Sequence, residues 1–124
     1  MAKNLVFENV AANAAADATC ALADGGFARL VAADGSTVAE CLFANPAFDA
    51  AIAGVALSNP LTPDPAATGG RVDHYEGFAA DGVTKLWTGT AGLADANCVL
   101  SSLDILPGAE VTIGLVTHRQ PKQA

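Results

Sequence analysis

The side chains able to do chemistry are few, and their spacing frames little of it. A nucleophilic centre needs Ser, Cys or Thr held beside a base, and the only histidines are His74 and His118. Cys41 or Cys98 could meet His74 in the folded chain, but no local motif frames either thiol. Both fall in strand-like runs, where a small buried cysteine is inert. Paired carboxylates are harder to dismiss, because thirteen acids must produce some neighbours. A glycoside-cleaving pair, however, also needs an aromatic-lined cleft, and one Trp with one Tyr is a thin supply. The acids read as a solvated surface, and the chain as carrying no catalytic residues: not an enzyme.

Asp73-His74-Tyr75-Glu76 is the best metal candidate. Strand alternation sets His74 and Glu76 on one face and Asp73 and Tyr75 on the other. One imidazole and one carboxylate leave zinc short of at least one ligand. The twelve-residue calcium loop with a terminal Glu is missing. Neither GxxxxGK[ST] nor GxGxxG occurs, so nucleotide cofactors have no foothold. No metal and no cofactor are expected.

The elements that must position these residues are legible in coarse form. With 124 residues, one domain is expected. Ala and Gly supply much of the 52% apolar content, so the core must be thin. Residues 10–23 are Ala-rich and free of Gly and Pro, a strong helix signal. Asn9 can cap this helix and Gly25 can end it in the left-handed conformation. Helical spacing puts Ala11, Ala15, Ala18 and Leu22 on an apolar stripe, with Asn13, Asp17, Cys20 and Asp24 opposite. Cys20 is therefore expected to be the most accessible thiol.

From Phe27 the punctuation is that of an all-β domain. Asp34-Gly35 and Asp81-Gly82 each supply the positive φ angles of a two-residue hairpin turn. Their surroundings, Ala32-Ala33-Asp34-Gly35-Ser36-Thr37 and Ala79-Ala80-Asp81-Gly82-Val83-Thr84, fit either an internal duplication or shared turn chemistry. Residues 54–61 and 97–105 read as strands, and residues 59–70 as a long Pro-rich loop. In the last strand, Val111, Ile113 and Leu115 alternate with Thr112, Gly114 and Val116. Phe43 and Phe48 should anchor the core around the Asn45-Pro46 turn. The expected fold is mainly β: a single β-sandwich, Greek-key-like domain of about seven strands with one Ala-rich N-terminal helix. Residues 1–9 form an arm or edge strand, 10–118 the domain, and 119–124 a flexible tail.

Charge narrows the partners. The net charge is −7, and Lys3, Arg119 and Lys122 sit at the extremities, leaving Arg29, Arg71 and Lys85 among thirteen acids. Such a body repels phosphate backbones, so no nucleic-acid partner is expected. The longest apolar runs are too short for a membrane span, and no signal peptide is read at the start. Three cysteines without CxxC spacing point to free thiols in a reducing cytoplasm. Leu5-Val6-Phe7 is an apolar patch with no partner in sequence. Leu5, Val6, Phe7, Arg119 and Lys122 are the residues expected to contact another protein, the arm through backbone pairing and the cations through salt-sensitive attraction.

One long phrase identifies a resemblance. Asp24-Gly25-Gly26, Arg29-Leu30, Val38-Ala39-Glu40, Asn45-Pro46-Ala47-Phe48 and Gly54-Val55-Ala56 follow one another, with Asp81-Gly82-Val83-Thr84 and Pro107-Gly108 later. In this order, over residues 10–117, the chain resembles a family of small structural proteins from the virions of tailed bacteriophages. Some members of that family are head decoration (cement) proteins. The first hairpin here is shorter than is common in the family, and Tyr75 is followed by Glu76 where an aromatic-Arg pair is usual. The resemblance implies a non-enzymatic virion component on the capsid exterior, made in the host bacterial cytoplasm. Its implied partners are the major capsid protein and itself, as a homo-oligomer (trimer or dimer). Alternatives are a neck or tail component, or a carbohydrate-binding or adhesion β-sandwich, which would carry an aromatic platform.

Overall fold

A computed structural model describes residues 8–119. Leu5, Val6, Phe7 and Lys122 lie outside the described residues. The Ala-rich run forms one helix, α1 (Asn9–Ala21). Among the described residues nine strands follow: β1 (Phe27–Val31), β2 (Thr37–Leu42), β3 (Val55–Leu57), β4 (Gly70–Arg71), β5 (His74–Phe78), β6 (Lys85–Gly92), β7 (Cys98–Leu100), β8 (Asp104–Ile105) and β9 (Ile113–Arg119). Seven of them make one sheet in the order β2-β1-β5-β6-β7-β9-β3, and β4 pairs with β8 apart from it. Every pairing is antiparallel except β6 with β7. The sheet curls on itself. Bridges from Leu42 to Thr62 and from Asp64 to Val111 let the Pro-rich loop stitch β2 towards the start of the last strand. The fold is thus mainly β, one β-sandwich-like domain with a single helix, as the turn chemistry implied.

The helix has shifted from its expected register. Glu8 is its cap, in extended conformation and without a side-chain capping bond; Asn9 is already helical. Its buried face is Ala12, Ala16 and Cys20, continued by Ala23, while Leu22 is 59% exposed. An Ala-rich helix has apolar residues on every side, so hydrophobic spacing cannot choose its rotation. Beyond it, Gly25 takes the left-handed conformation (φ +68°) as expected. Gly26 serves a different need: a Cβ there would lie 2.0 Å from the Phe78 carbonyl oxygen, so only glycine lets the chain enter β1 beside β5.

The two Asp-Gly hairpins exist, but neither uses a two-residue turn. In each, Gly has positive φ and Asp does not. Between β1 and β2, Gly35 N–H donates to Ala32 O and Ala32 N–H to Ser36 O, a three-residue loop. Between β5 and β6, Ala79 N–H donates to Thr84 O, a four-residue loop. The reason lies in the Asp side chains. Asp34 accepts from the Ser36 amide and hydroxyl, and Asp81 from the Val83 and Thr84 amides and the Thr84 hydroxyl. These Asx-type bonds hold Asp on the ordinary side of φ.

The other departures are local. The run 97–105 breaks after Leu100 because Ser102 Oγ bonds both the amide and the carbonyl of Asp104, turning the chain into the small sheet. The last strand does not hold one alternation throughout: Val111 and Ile113 are buried, then Val116 is (0% exposed), and the β7–β9 register shifts at Val99/Leu100. β9 also runs through Arg119, which therefore belongs to the sheet and not to a tail.

The core includes Leu30, Val38, Cys41, Phe43, Tyr75, Cys98 and Val116, all fully buried. Phe43 and Phe48 do anchor it, their centroids 5.5 Å apart across the cis Asn45–Pro46 peptide.

Candidate interaction surface

The segment singled out by its unusual order, residues 45–57, is held by the polar face of α1. Asn13 Oδ1 accepts from the Gly54 amide (2.7 Å), Asp17 Oδ1 from Ala51 (2.8 Å), and Asp24 Oδ1, beyond the helix, from Ala47 (2.8 Å). The face expected to meet water instead clamps a loop. A buried or half-buried amide needs a partner, and short acceptors at helical spacing supply three in succession. Cys20 falls between them in sequence but turns inward, and is 4% exposed.

The clamp ends in a tight turn. Ile52 and Val55 exchange both backbone hydrogen bonds around Ala53 (φ +52°) and Gly54 (φ +79°). This is the two-residue hairpin with both central residues left-handed, at Ala53-Gly54 where no Asp-Gly or Asn-Gly signals it. It feeds β3, the edge strand beyond β9.

Beneath the loop runs a row of rings. Phe48 lies 6.1 Å from Trp87 and 6.3 Å from His118, and Trp87 stands 4.9 Å from His118. Trp87 Nε1–H donates to the buried Tyr75 hydroxyl at 2.7 Å. Two glycines make room: a Cβ on Gly77 would meet the Trp87 ring at 2.6 Å, and one on Gly89 the Tyr75 ring at 2.3 Å. Burial above all pushes the Tyr75 hydroxyl above its ordinary range, against the lowering effect of the Trp87 hydrogen bond. This row braces β9 and β3 from within.

On the outer face the edge is apolar. Asp49, Ala50, Ile52, Val55 and Leu57 line a groove of about 270 Å³. Ile52 is 79% and Leu57 47% exposed. Val55 is the register partner of Arg119 and Leu57 that of Thr117, and cross-strand partners share a face. Arg119 thus stands beside the groove. Of the residues expected to make contacts it is the one within the described residues, and it is exposed there. Val10, 83% exposed, lies one turn before Asn13 on the same helix face, so the first helical turn also opens towards this end. Sequence reasoning missed Ile52 and Leu57, which look like core residues until the turn at Ala53-Gly54 places them.

The other candidates lie elsewhere. His74 Nδ1 sits 2.8 Å from Asp73 Oδ2 and its Nε2 3.4 Å from Glu76 Oε2, which also takes Lys85 Nζ at 3.3 Å. Both ring nitrogens are thereby engaged by carboxylates, and the Asp73 bond above all raises the imidazole pKa. Among the described residues no group of three or more His, Cys, Asp or Glu could hold a metal ion. Cys20, Cys41 and Cys98 are free and buried. Burial raises all three thiols, Cys20 and Cys98 to about 12. Cys20 is the least buried of the three thiols, at 4% against 0% for the other two, but rotation of the helix takes it off the polar face on which it was expected and buries it. No helix among the described residues is long and apolar enough to cross a membrane. Comparison of the chain with protein-family models, with curated proteins and with solved structures gave no match.

Proposed function

We propose that this chain is a non-enzymatic structural protein of a tailed-bacteriophage virion, a decoration (cement) protein on the head exterior that binds the major capsid protein and strengthens the shell. The observation that carries the reading is the phrase from Val38-Ala39-Glu40 through Asn45-Pro46-Ala47-Phe48 to Gly54-Val55-Ala56. It is the central part of a resemblance that runs over residues 10–117, and its second half is the stretch that Asn13, Asp17 and Asp24 hold through the Gly54, Ala51 and Ala47 amides and that ends in the apolar edge. A net charge of −7 supports an exterior position, because an acidic body gains nothing from packaged DNA. The contacts proposed for Leu5, Val6, Phe7 and Lys122 belong to this reading, as does that of Arg119, the register partner of Val55 at the groove.

The test is reconstitution. Purified protein added to capsids of the parent phage should bind to saturation, with a copy number comparable to that of the capsid protein, and should raise the temperature at which the shells break. Binding confined to a single ring's worth of copies would move the assignment to the neck or tail. No binding to shells, with retention on a glycan column, would replace it by a carbohydrate-binding module.

A further inference from the structure

We infer that the β3 edge is a homotypic interface: two copies of this chain pack their Ile52–Leu57 grooves together about a two-fold axis, with Arg119 of each facing Asp49 of the other. The apolar part of the argument is exposure. Ile52 and Leu57 project from a tight turn and an edge strand whose backbone groups are already satisfied within the chain, Asp49 N–H by Leu57 O and Ile52 by Val55. The surface therefore offers side chains, not an open ladder, and suits face packing more than strand addition.

Charge selects the occupant. Among the described cations, Arg29 pairs with Glu40, Arg71 with Asp104 and Lys85 with Glu76, while Arg119 has no ion pair among the described residues. Asp49, at the groove, has none either. A chain of net charge −7 repels its own copies at a distance. Here, however, an apolar centre carries one unpaired anion and one unpaired cation, so the patch is locally balanced. A patch of that kind is complementary to itself under two-fold rotation, and each charge contact then occurs twice. Few side chains take part, so the buried area falls below the ~1,600 Å² of a standard stable interface. The dimer is correspondingly weak in dilute solution and fills as local concentration rises. The virion reading already implies self-association; what is inferred here is the surface and the residues that carry it, argued from the groove and its charges alone. Self-association is measured on the purified chain without capsids, so the two can fail separately.

Sedimentation equilibrium over a concentration series at low salt tests it. The full chain should show a monomer–dimer equilibrium. Leu57→Asp, with its fold checked by circular dichroism, should be monomeric at every concentration. Asp49→Arg and Arg119→Asp should each weaken association by about tenfold, because the reversed contact is repeated by symmetry. The double variant D49R/R119D should return it to near the starting value, a recovery that a merely misfolded variant cannot give. A chain that stays monomeric overturns the inference, as does a dimer indifferent to Leu57→Asp or a double variant no tighter than the singles. So does a chain that dimerises only after residues 2–8 are removed, which would mean that its own N-terminal segment covers the groove.

Discussion

At the scale of single residues, buried polar atoms with one partner each are the sensitive points. The Tyr75 hydroxyl takes the Trp87 N–H in a nearly dry site. Tyr75→Phe should cost about 1–3 kcal/mol in urea unfolding, since it leaves that donor unsatisfied. The thiols give a second outcome. The thiolate is the reactive form, and burial holds Cys20 and Cys98 near 12. Native protein at pH 8 should give almost no reaction with a thiol-specific disulfide reagent, and three thiols should appear on unfolding. A fast single-site phase would mean that Cys20 faces solvent after all. His74 supplies the pH dependence. Its pKa is raised in the fold, chiefly by Asp73, so its contribution is complete below the unfolded value and fades as pH rises through the folded one. Asp73→Asn should move the His74 NMR titration midpoint downwards.

At the scale of elements, the helix–loop clamp and the turns carry the specificity. Asn13, Asp17 and Asp24 each accept one loop amide, and replacing any of them with Ala should cost about 1–2 kcal/mol. Hydrogen exchange at Gly54, Ala51 or Ala47 should quicken respectively. The Ala53-Gly54 turn holds Ala at φ +52°, a conformation that costs an ordinary L-residue about 1–2 kcal/mol. Ala53→Gly should therefore recover part of that cost, while Gly54→Ala should lose stability, as thermal unfolding will show. Hydrogen bonds from Thr84 and Val83 lower the Asp81 carboxyl to about 2. The sign follows: this turn's contribution is present above the ordinary Asp range and is lost only as pH falls through about 2.

For the whole molecule, the core is one layer of modest side chains filled by a few aromatics. Phe48, 7% exposed and touching Phe43, Trp87 and His118, should cost about 3–5 kcal/mol when cut to Ala. A loss that large removes a good part of a marginal stability. The proposed role in the virion makes a separate prediction. Deleting residues 2–8 should leave the described domain folded while abolishing decoration of capsids, measured by co-sedimentation with shells. Normal binding by the truncated protein would exclude the N-terminal segment as the capsid contact.

The sequence by itself determined the fold class, the helix, both Asp-Gly hairpins and the aromatic anchor at Phe43 and Phe48. Each of these rests on local chemistry: Ala propensity, Asp and Gly in turns, and a large ring beside Asn-Pro. Only the tertiary structure decided which side of the helix is buried. An Ala-rich helix presents nearly equal faces, and its rotation was settled by two polar side chains, Asn13 and Asp17, meeting amides 41 and 34 residues away. Likewise, the exposed groove at Ile52 and Leu57 depends on a turn at Ala53-Gly54 that carries no usual turn signature, and on the pairing of β3 with β9 that sets Arg119 beside it. Contacts between distant residues choose among local structures of nearly equal energy, and no window of sequence contains both partners.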